Sequence, residues 1–179
     1  MPRVLPHRAG ARAGWCLILA ALIAVTGCAG YRLGPTNGAA AGGRSISINF
    51  FQNQTPEPRL VEAVNGALRK RVQQDGALRL DTSGAGDYVV NGQITNFERS
   101  ALSFNPGDIA TAQDYSLQLT AHVTVTERGT GRAVLDRVFS GRTSIRAGQN
   151  LGNVERQVVP LAASDLAGRI VSALVDGSW

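Results

Sequence analysis

The stretch LQLTAHVTVT, from Leu117 to Thr126, alternates strictly between apolar and polar side chains. Alternation with a period of two is typical of a β-strand that buries one face. The apolar positions therefore predict a core face, while the polar positions carry only Gln, Thr and His. The lack of Lys and Glu has two interpretations: another molecule covers this face, or it is an ordinary exposed strand whose threonines have good β-propensity.

A long hairpin is predicted on the N-terminal side of this strand. Residues 88–104 form an extended run, and a loop at about 104–114 that contains NPGD follows it. Fourteen residues at ~3.3 Å each would extend over ~45 Å, whereas ordinary strands have about 3–10 residues. We therefore expect the hairpin to project beyond the part of the sheet that helices cover.

On the C-terminal side of the same strand, residues 128–132 predict a hairpin turn. This turn leads to a further strand at about 133–146, whose two faces the alternation does not distinguish. Two shorter strands are expected earlier in the chain, at 45–50 and at 78–80.

Two helices are predicted from apolar residues at helical spacing. The first follows Pro58, ends at Gly76, and has as its apolar residues Leu60, Val61, Val64, Leu68 and Val72. The second runs from Asn153 to Val175, and Pro160 should kink it or begin it anew. Its apolar residues are Val154, Val158, Leu161, Leu166, Ile170, Val171 and Leu174.

The element order is β-α-β-β-β-α, with neighbouring strands joined by hairpins. This order favours an α+β fold: a two-layer sandwich in which two helices cover one face of a mainly antiparallel, four-stranded sheet. The basic cluster Arg69-Lys70-Arg71 lies near the end of the first helix. It is open to two interpretations, a solvated helix end or a site for lipid phosphates.

The first 27 residues have the three-part form of an export signal. Arg3, Arg8 and Arg12 make a basic start, and the apolar run from Trp15 to Val25 is shorter than the ~20 residues of a membrane span. The run ends in Val25-Thr26-Gly27-Cys28, which resembles the lipobox of bacterial lipoproteins. The alternative is an ordinary secretory signal that ends near a cysteine.

The lipobox divides the chain into three parts. Residues 1–27 are expected to be a lipoprotein signal peptide, and residues 28–43 a lipidated N-terminus and flexible tether. Residues 44–179 form one domain. Cys28 would carry S-diacylglycerol and N-acyl (palmitate) chains, because several acyl chains anchor stably where one binds only marginally. No cofactor is expected apart from this covalent lipid.

Composition argues against nucleic acid and against catalysis. Three of the 18 basic residues leave with the signal, so 15 remain against 13 acidic residues, and the high pI is no nucleic-acid footprint. Beyond the signal, one histidine (His122) and one cysteine (Cys28) remain. Nucleophilic catalysis and His/Cys metal binding therefore lack the residues they need, and we expect neither an enzyme nor a metal site.

Five segments, in order, resemble the LPS-assembly lipoprotein LptE family. They are Cys28–Leu33, Ile48–Thr55, Asp87–Ile94, Tyr115–Leu119 and Asp165–Val171. Ala29 departs from the family's Cys-Gly-Tyr start. By resemblance to lipoprotein sorting, Ala rather than Asp after the cysteine favours the outer membrane.

The resemblance implies a non-enzymatic role in the outer membrane. Such lipoproteins lie in the lumen of the large β-barrel LptD, where they act as plug and assembly partner in lipopolysaccharide transport, and they can bind lipopolysaccharide directly. Because arginine can bind two phosphate oxygens at once, Arg99, Arg142 and Arg146 are candidates for lipopolysaccharide contact, although no family motif carries them. The competing function is a tethered periplasmic module of another envelope complex, for interaction or small-ligand binding.

Overall fold

The computed structural model describes residues 42–105, 107–146 and 151–176. These residues belong to one compact unit, Gly34–Trp179. The predicted signal peptide, Cys28 and nearly all of the tether lie outside the described residues.

Within these ranges the chain forms six strands and two helices. In chain order they are β1 (Arg44–Ile48), β2 (Gln52–Asn53), α1 (Leu60–Asp75), β3 (Leu78–Asp81), β4 (Tyr88–Asn105), β5 (Asp108–Glu127), β6 (Ala133–Arg146) and α2 (Leu151–Val175).

The strands belong to one mixed sheet of order β3-β1-β4-β5-β6, with β2 beside β4. The long strands β4, β5 and β6 are antiparallel, whereas β1 pairs in parallel with both β3 and β4 and β2 pairs in parallel with β4. The α+β class is confirmed, but the prediction of a mainly antiparallel four-stranded sheet is only partly right. The helix α1 returns the chain to the end of the sheet where β1 began, so β3 runs parallel to β1.

The core lies between the two helices and one face of the sheet. The apolar side of β5 is fully buried, as its alternation predicts: Leu117, Leu119, Ala121, Val123 and Val125 are all 0% exposed. The same core takes Leu60, Val64, Leu68 and Val72 from α1, and Ala162, Ala163, Leu166, Ala167, Ile170 and Val171 from α2. Both helices therefore cover one face.

Helix α2 continues through Pro160 without starting anew. Leu161, predicted to be buried, is 58% exposed, and the small residues Ala162 and Ala163 are buried in its place. They allow a close approach to β6, where a Cβ on Gly141 would lie 2.3 Å from the Ala162 carbonyl oxygen. Residues 158–175 are apolar and long enough to span a membrane, but half of this stretch is buried in the domain, as in an ordinary core helix.

The hairpin of β4 and β5 is long, as expected, with strands of 18 and 20 residues. The predicted loop at 104–114 is wrong, because β5 already starts at Asp108 and a turn at Gly107 joins the strands. The register shifts between Ile94 and Asn96. A one-residue shift moves later side chains to the opposite face, so Phe97 packs against the core as Ile94 does.

The first strand ends earlier than its alternation predicts. Phe50 is 71% exposed, and Phe51 is buried instead, at 3%. Gly92 makes room for the Phe51 ring, since a Cβ on Gly92 would lie 2.1 Å from it.

The loop at 82–87 crosses over β1 instead of forming a hairpin, because β3 and β4 flank β1 on opposite sides. We call this loop the strap. The buried serines of β1 bind it: Asp87 Oδ2 accepts hydrogen bonds from the Ser45 N–H (2.8 Å) and hydroxyl (2.7 Å). The Gly86 N–H donates to Ser47 Oγ (2.8 Å), which donates to Asp81 (3.0 Å).

Arg128, from the turn between β5 and β6, holds the strap from outside. Its guanidinium donates to the carbonyls of Gly84 and Gly86, the latter at 2.9 Å. A Cβ on Gly86 would lie 2.6 Å from the Ser47 backbone nitrogen, so the strap presses directly on β1.

Candidate interaction surface

The side of the sheet opposite α1 and α2 carries the polar residues of β5 and their cross-strand neighbours. We call this surface the polar face. Its polar members and Val138 are Asn91, Gln93, Asn96 and Glu98 of β4; Gln118, Thr120, His122, Thr124 and Thr126 of β5; and Asp136, Val138, Ser140 and Arg142 of β6. The β5 side chains are half-buried between those of the neighbouring strands. Packing within the sheet therefore leaves part of each side chain accessible.

Hydrogen bonds link β5 to β6 across the polar face. Arg142 Nε donates to Gln118 Oε1 at 2.8 Å, and Thr120 Oγ1 lies 3.2 Å from Ser140 Oγ. His122 Nε2 lies 2.5 Å from Asp136 Oδ1. These contacts fix the side chains in rows, as cross-strand polar pairs do.

A second set of amide contacts extends the polar face toward the parallel strands. Asn49 Nδ2 donates to Asn91 Oδ1 at 2.8 Å, and Gln54 Nε2 donates to Gln93 Oε1 at 3.3 Å. The named members on β5 carry no carboxylate, ammonium or guanidinium group, whereas the flanking strands carry Glu98 on β4 and Asp136 and Arg142 on β6. The row of β5 side chains thus offers donors and acceptors without a carboxylate, ammonium or guanidinium group, which suits contact with a polar partner.

The structure places two of the three candidate arginines on one face. Arg142 and Arg146 point to the same side of β6, four residues apart, and both are exposed. Arg146 Nε lies 3.4 Å from Asp114 Oδ1. A hydrogen bond from the Ser103 hydroxyl, and to a lesser extent Arg146, lowers the pKa of Asp114, so this carboxyl stays charged beside the arginine.

Arg99 lies on the opposite face. Its register partner is Leu117, which packs in an apolar cluster with Val158 of α2. Directly opposite residues share a face, so Arg99 points to the helix side, where its guanidinium lies 5.5 Å from the centre of the Tyr115 ring. The three candidates therefore do not form one cluster.

The basic cluster on α1 is also divided. The Arg69 guanidinium lies 5.1 Å from the centre of the Phe50 ring, whereas Lys70 and Arg71 are exposed. The three side chains thus do not converge on one point.

Catalytic geometry is not found around His122. In the parts of the chain that the structure describes, no three His, Cys, Asp or Glu side chains are grouped as metal ligands. The contact of His122 with Asp136 lies on an open strand surface, with 42% and 61% of the two side chains exposed.

Sequence reasoning identified the β5 part of the polar face but missed its neighbours on β4 and β6. Asn91, Asp136 and Ser140 join it only through strand register. No local pattern in residues 133–146 distinguishes the two faces, because Val138 lies on the polar side and Arg137 on the core side.

This combination of a mixed sheet, two helices on one face and an open polar face defines a compact α+β domain of a kind also found in solved bacterial proteins. One is a Xanthomonas campestris protein of the DUF330 family (TM-score 0.58, 10% identity, covering 82% of this chain and 91% of that one). Another is a PelC variant crystallised as a dodecamer, from Paraburkholderia phytofirmans (TM-score 0.50, 14% identity, 80% and 95%). At such identities the likeness shows the fold alone.

A further similar structure is the rare lipoprotein B from Shewanella oneidensis, with a TM-score of 0.48, 15% identity, and 72% and 92% coverage. Comparison with curated protein sequences gives no match. The family model LptE, described as lipopolysaccharide-assembly, matches residues 43–174. The chain belongs to the LptE family, and its role at that level is lipopolysaccharide assembly.

Proposed function

We propose that this protein is a non-enzymatic outer-membrane lipoprotein that plugs the LptD β-barrel, helps assemble it, and binds lipopolysaccharide. In this proposal the described domain lies within the barrel lumen and Cys28 carries the acyl chains that hold it at the membrane. Family membership supports a role in lipopolysaccharide assembly. The polar face is the structural observation that supports contact with the barrel lumen.

The lumen of a transmembrane β-barrel is polar. A protein that fills it needs a surface that forms many hydrogen bonds without burying unpaired charge, because a buried charge without a partner costs several kcal/mol. The amides and hydroxyls of β4 and β5 meet this requirement. Their contacts with β6 and with Asn49 and Gln54 also hold them in place before contact with a partner, which lowers the entropy cost of association.

The test is affinity isolation of the protein from detergent-solubilised outer membranes, followed by identification of its partner. We expect a stoichiometric complex with a β-barrel several times heavier than this chain. Thr120→Glu, which adds a charge to the centre of the polar face, should lower recovery of that partner. The matched control is Gln73→Glu, which adds the same charge on the exposed side of α1.

A free monomer, or a complex with a partner that is not a barrel, would refute the lumen proposal and favour a module of another envelope complex. Equal loss of partner in the Thr120→Glu and Gln73→Glu variants would exclude the polar face as the contact.

The lipid anchor is tested separately, with Cys28→Ala. We expect this variant to be released without detergent, because the acyl chains supply most of the membrane affinity. Complete retention in the membrane fraction would mean that acylation is not the main anchor.

Lipopolysaccharide contact is tested with Arg142→Ala and Arg146→Ala, which lie on one face of β6, and with Arg99→Ala on the other face of the sheet. If phosphate groups bind on the polar side, the first two variants should weaken lipopolysaccharide binding and Arg99→Ala should not.

A further inference from the structure

The sheet has one long edge that no strand covers in the described part of the chain. Strand β6 is last in the sheet order, with β5 on one side and no strand on the other. It has 14 residues, whereas the opposite edge strand, β3, has four. An unpaired strand presents a row of N–H and C=O groups to which another strand can add.

The direction of these backbone groups follows from one hydrogen bond. The Arg142 backbone N–H donates to Asp165 Oδ2 of α2 at 2.9 Å, so it points away from β5. In an antiparallel ladder, alternate residues turn both backbone groups to the same side. Ser140, Val138 and Asp136 therefore also present their N–H and C=O groups outward. We call these three positions the open edge.

Helix α2 protects the edge at Arg142 and leaves the open edge uncovered. Asp165 serves there as a substitute for a neighbouring strand. At the open edge, Val138 is instead 63% exposed, which is an unusual position for a large apolar side chain on an unpaired strand.

Arginines line the helix side of this edge. A groove of about 760 Å³ runs between β6 and α2 and includes Arg71, Arg137 and Arg169. The groove also includes Asp165 and Asp176, but Asp165 already accepts hydrogen bonds from Arg169 Nε (3.0 Å) and from the Arg142 N–H. The ion pair of Arg169 with Asp165 leaves two further guanidinium groups in the groove, Arg71 and Arg137, and one further carboxylate, Asp176.

We propose that the open edge of β6 binds an extended acidic segment of a partner protein as an additional strand. Side chains of a strand alternate between faces, so carboxylates at every second position would face the groove that includes Arg137 and Arg71. The intervening apolar residues would lie beside Val138 on the polar face. This contact differs from the lumen contact proposed above, because it uses the edge of the sheet and not its face.

A phosphate-bearing ligand fits the edge less well than a strand. Phosphate oxygens accept hydrogen bonds, and the open edge presents carbonyl acceptors as well as N–H donors. An extended peptide supplies both partners at the spacing of the ladder.

The experiment uses the whole protein, purified in mild detergent, and three peptide probes. One alternates valine with glutamate, the second alternates valine with lysine, and the third is the glutamate peptide N-methylated along its binding edge. We expect only the first to bind, and we expect it to slow hydrogen–deuterium exchange in residues 133–140. Binding of the lysine or the N-methylated peptide with equal affinity would overturn the proposal.

Two pairs of variants locate the contact. Val138→Pro removes an outward N–H while proline is tolerated on an edge strand, so we expect about tenfold weaker binding from the loss of one backbone hydrogen bond. Val138→Thr, which keeps the N–H, should bind as the parent does. Arg137→Glu should weaken binding of the glutamate peptide, and Arg132→Glu, in the turn between β5 and β6, is its control.

Circular dichroism and the unfolding midpoint check that each variant is folded. If Val138→Pro is unfolded, the Arg137→Glu pair and the N-methylated peptide still decide the question. Displacement of the glutamate peptide by inorganic phosphate, with no slowing of exchange in β6, would show a simple anion site and would refute strand addition.

Discussion

The two faces of β5 come from a single stretch of ten residues, yet they are subject to different constraints. On the core face every side chain is 0% exposed, so volume and shape determine which residues fit. On the polar face the β5 side chains are half-buried beside their strand neighbours, and neither α1 nor α2 covers them. Folding would tolerate lysine or glutamate there, so the fold itself does not require the absence of both from the polar positions of residues 117–126.

The largest effect is expected from the core face. Leu119→Ala should lower the free energy of unfolding by about 2–5 kcal/mol, because it leaves a cavity between the sheet and the helices. Thr120→Ala, the next residue on the other face, should cost about 1 kcal/mol or less through its lost hydrogen bond with Ser140. Urea unfolding of both variants measures the difference. Equal losses of unfolding free energy would contradict the proposed difference between the two faces.

A smaller effect is expected where α2 contacts β6. Gly141→Ala should cost about 1–3 kcal/mol, the usual range for an overpacked site, because its Cβ would meet the backbone of Ala162 and Leu166. Gly129→Ala is the control, since a Cβ on Gly129 meets nothing within 4 Å. A near-neutral result for Gly141→Ala would mean that α2 can move away from the sheet at little cost.

The strap should make stability depend on acid pH. Hydrogen bonds from the Ser83 hydroxyl, then from Ser47 and backbone N–H groups, lower the pKa of Asp81 to about 2, against some opposing desolvation. A carboxyl whose pKa is lowered by folding adds stability above its unfolded pKa of about 4. This contribution is lost as the pH falls from about 4 toward 2.

Asp81→Asn tests this dependence. The variant should be less stable than the parent at neutral pH and should lose less stability between about pH 4 and pH 2. Part of the dependence should persist, because hydrogen bonds from Ser45 also lower the pKa of Asp87. Denaturant unfolding at several pH values measures how the unfolding free energy of the parent and of the variant changes with pH. Identical slopes would exclude Asp81 as a contributor to the pH dependence.

The smallest effect is expected on the polar face. His122→Ala should change the unfolding free energy by less than about 1 kcal/mol, because contacts between exposed polar side chains contribute little. Thermal unfolding provides the measurement. A loss comparable to that of Leu119→Ala would show that the polar face is as tightly packed as the core.

Strong periodicity made some elements predictable from the sequence. The alternation of β5 gave its buried face, and the spacing of Leu60, Val64, Leu68 and Val72 gave the buried side of α1. Gly76 ends α1 as predicted, with a left-handed φ of 73°. In each case a local pattern determines the outcome.

The remaining features depend on contacts between distant residues. Alternation in β1 shows that it is a strand but does not say that β3 and β4 are its neighbours. The register shift after Ile94 places Arg99 on the helix side. No residue near Thr95 indicates this shift in the sequence. For the same reason the candidate arginines could be identified from the sequence, but which of them share a face of the sheet could not be predicted.

The position of β1 has a mechanical consequence. It is the first strand after the segment that contains Cys28, and it lies between β3 and β4 instead of at an edge. Tension applied to the chain from its N-terminal side would load both parallel ladders along their length, so their bonds would have to shear together and could not peel apart one by one. Force applied along β1 therefore acts in the direction in which the sheet resists most.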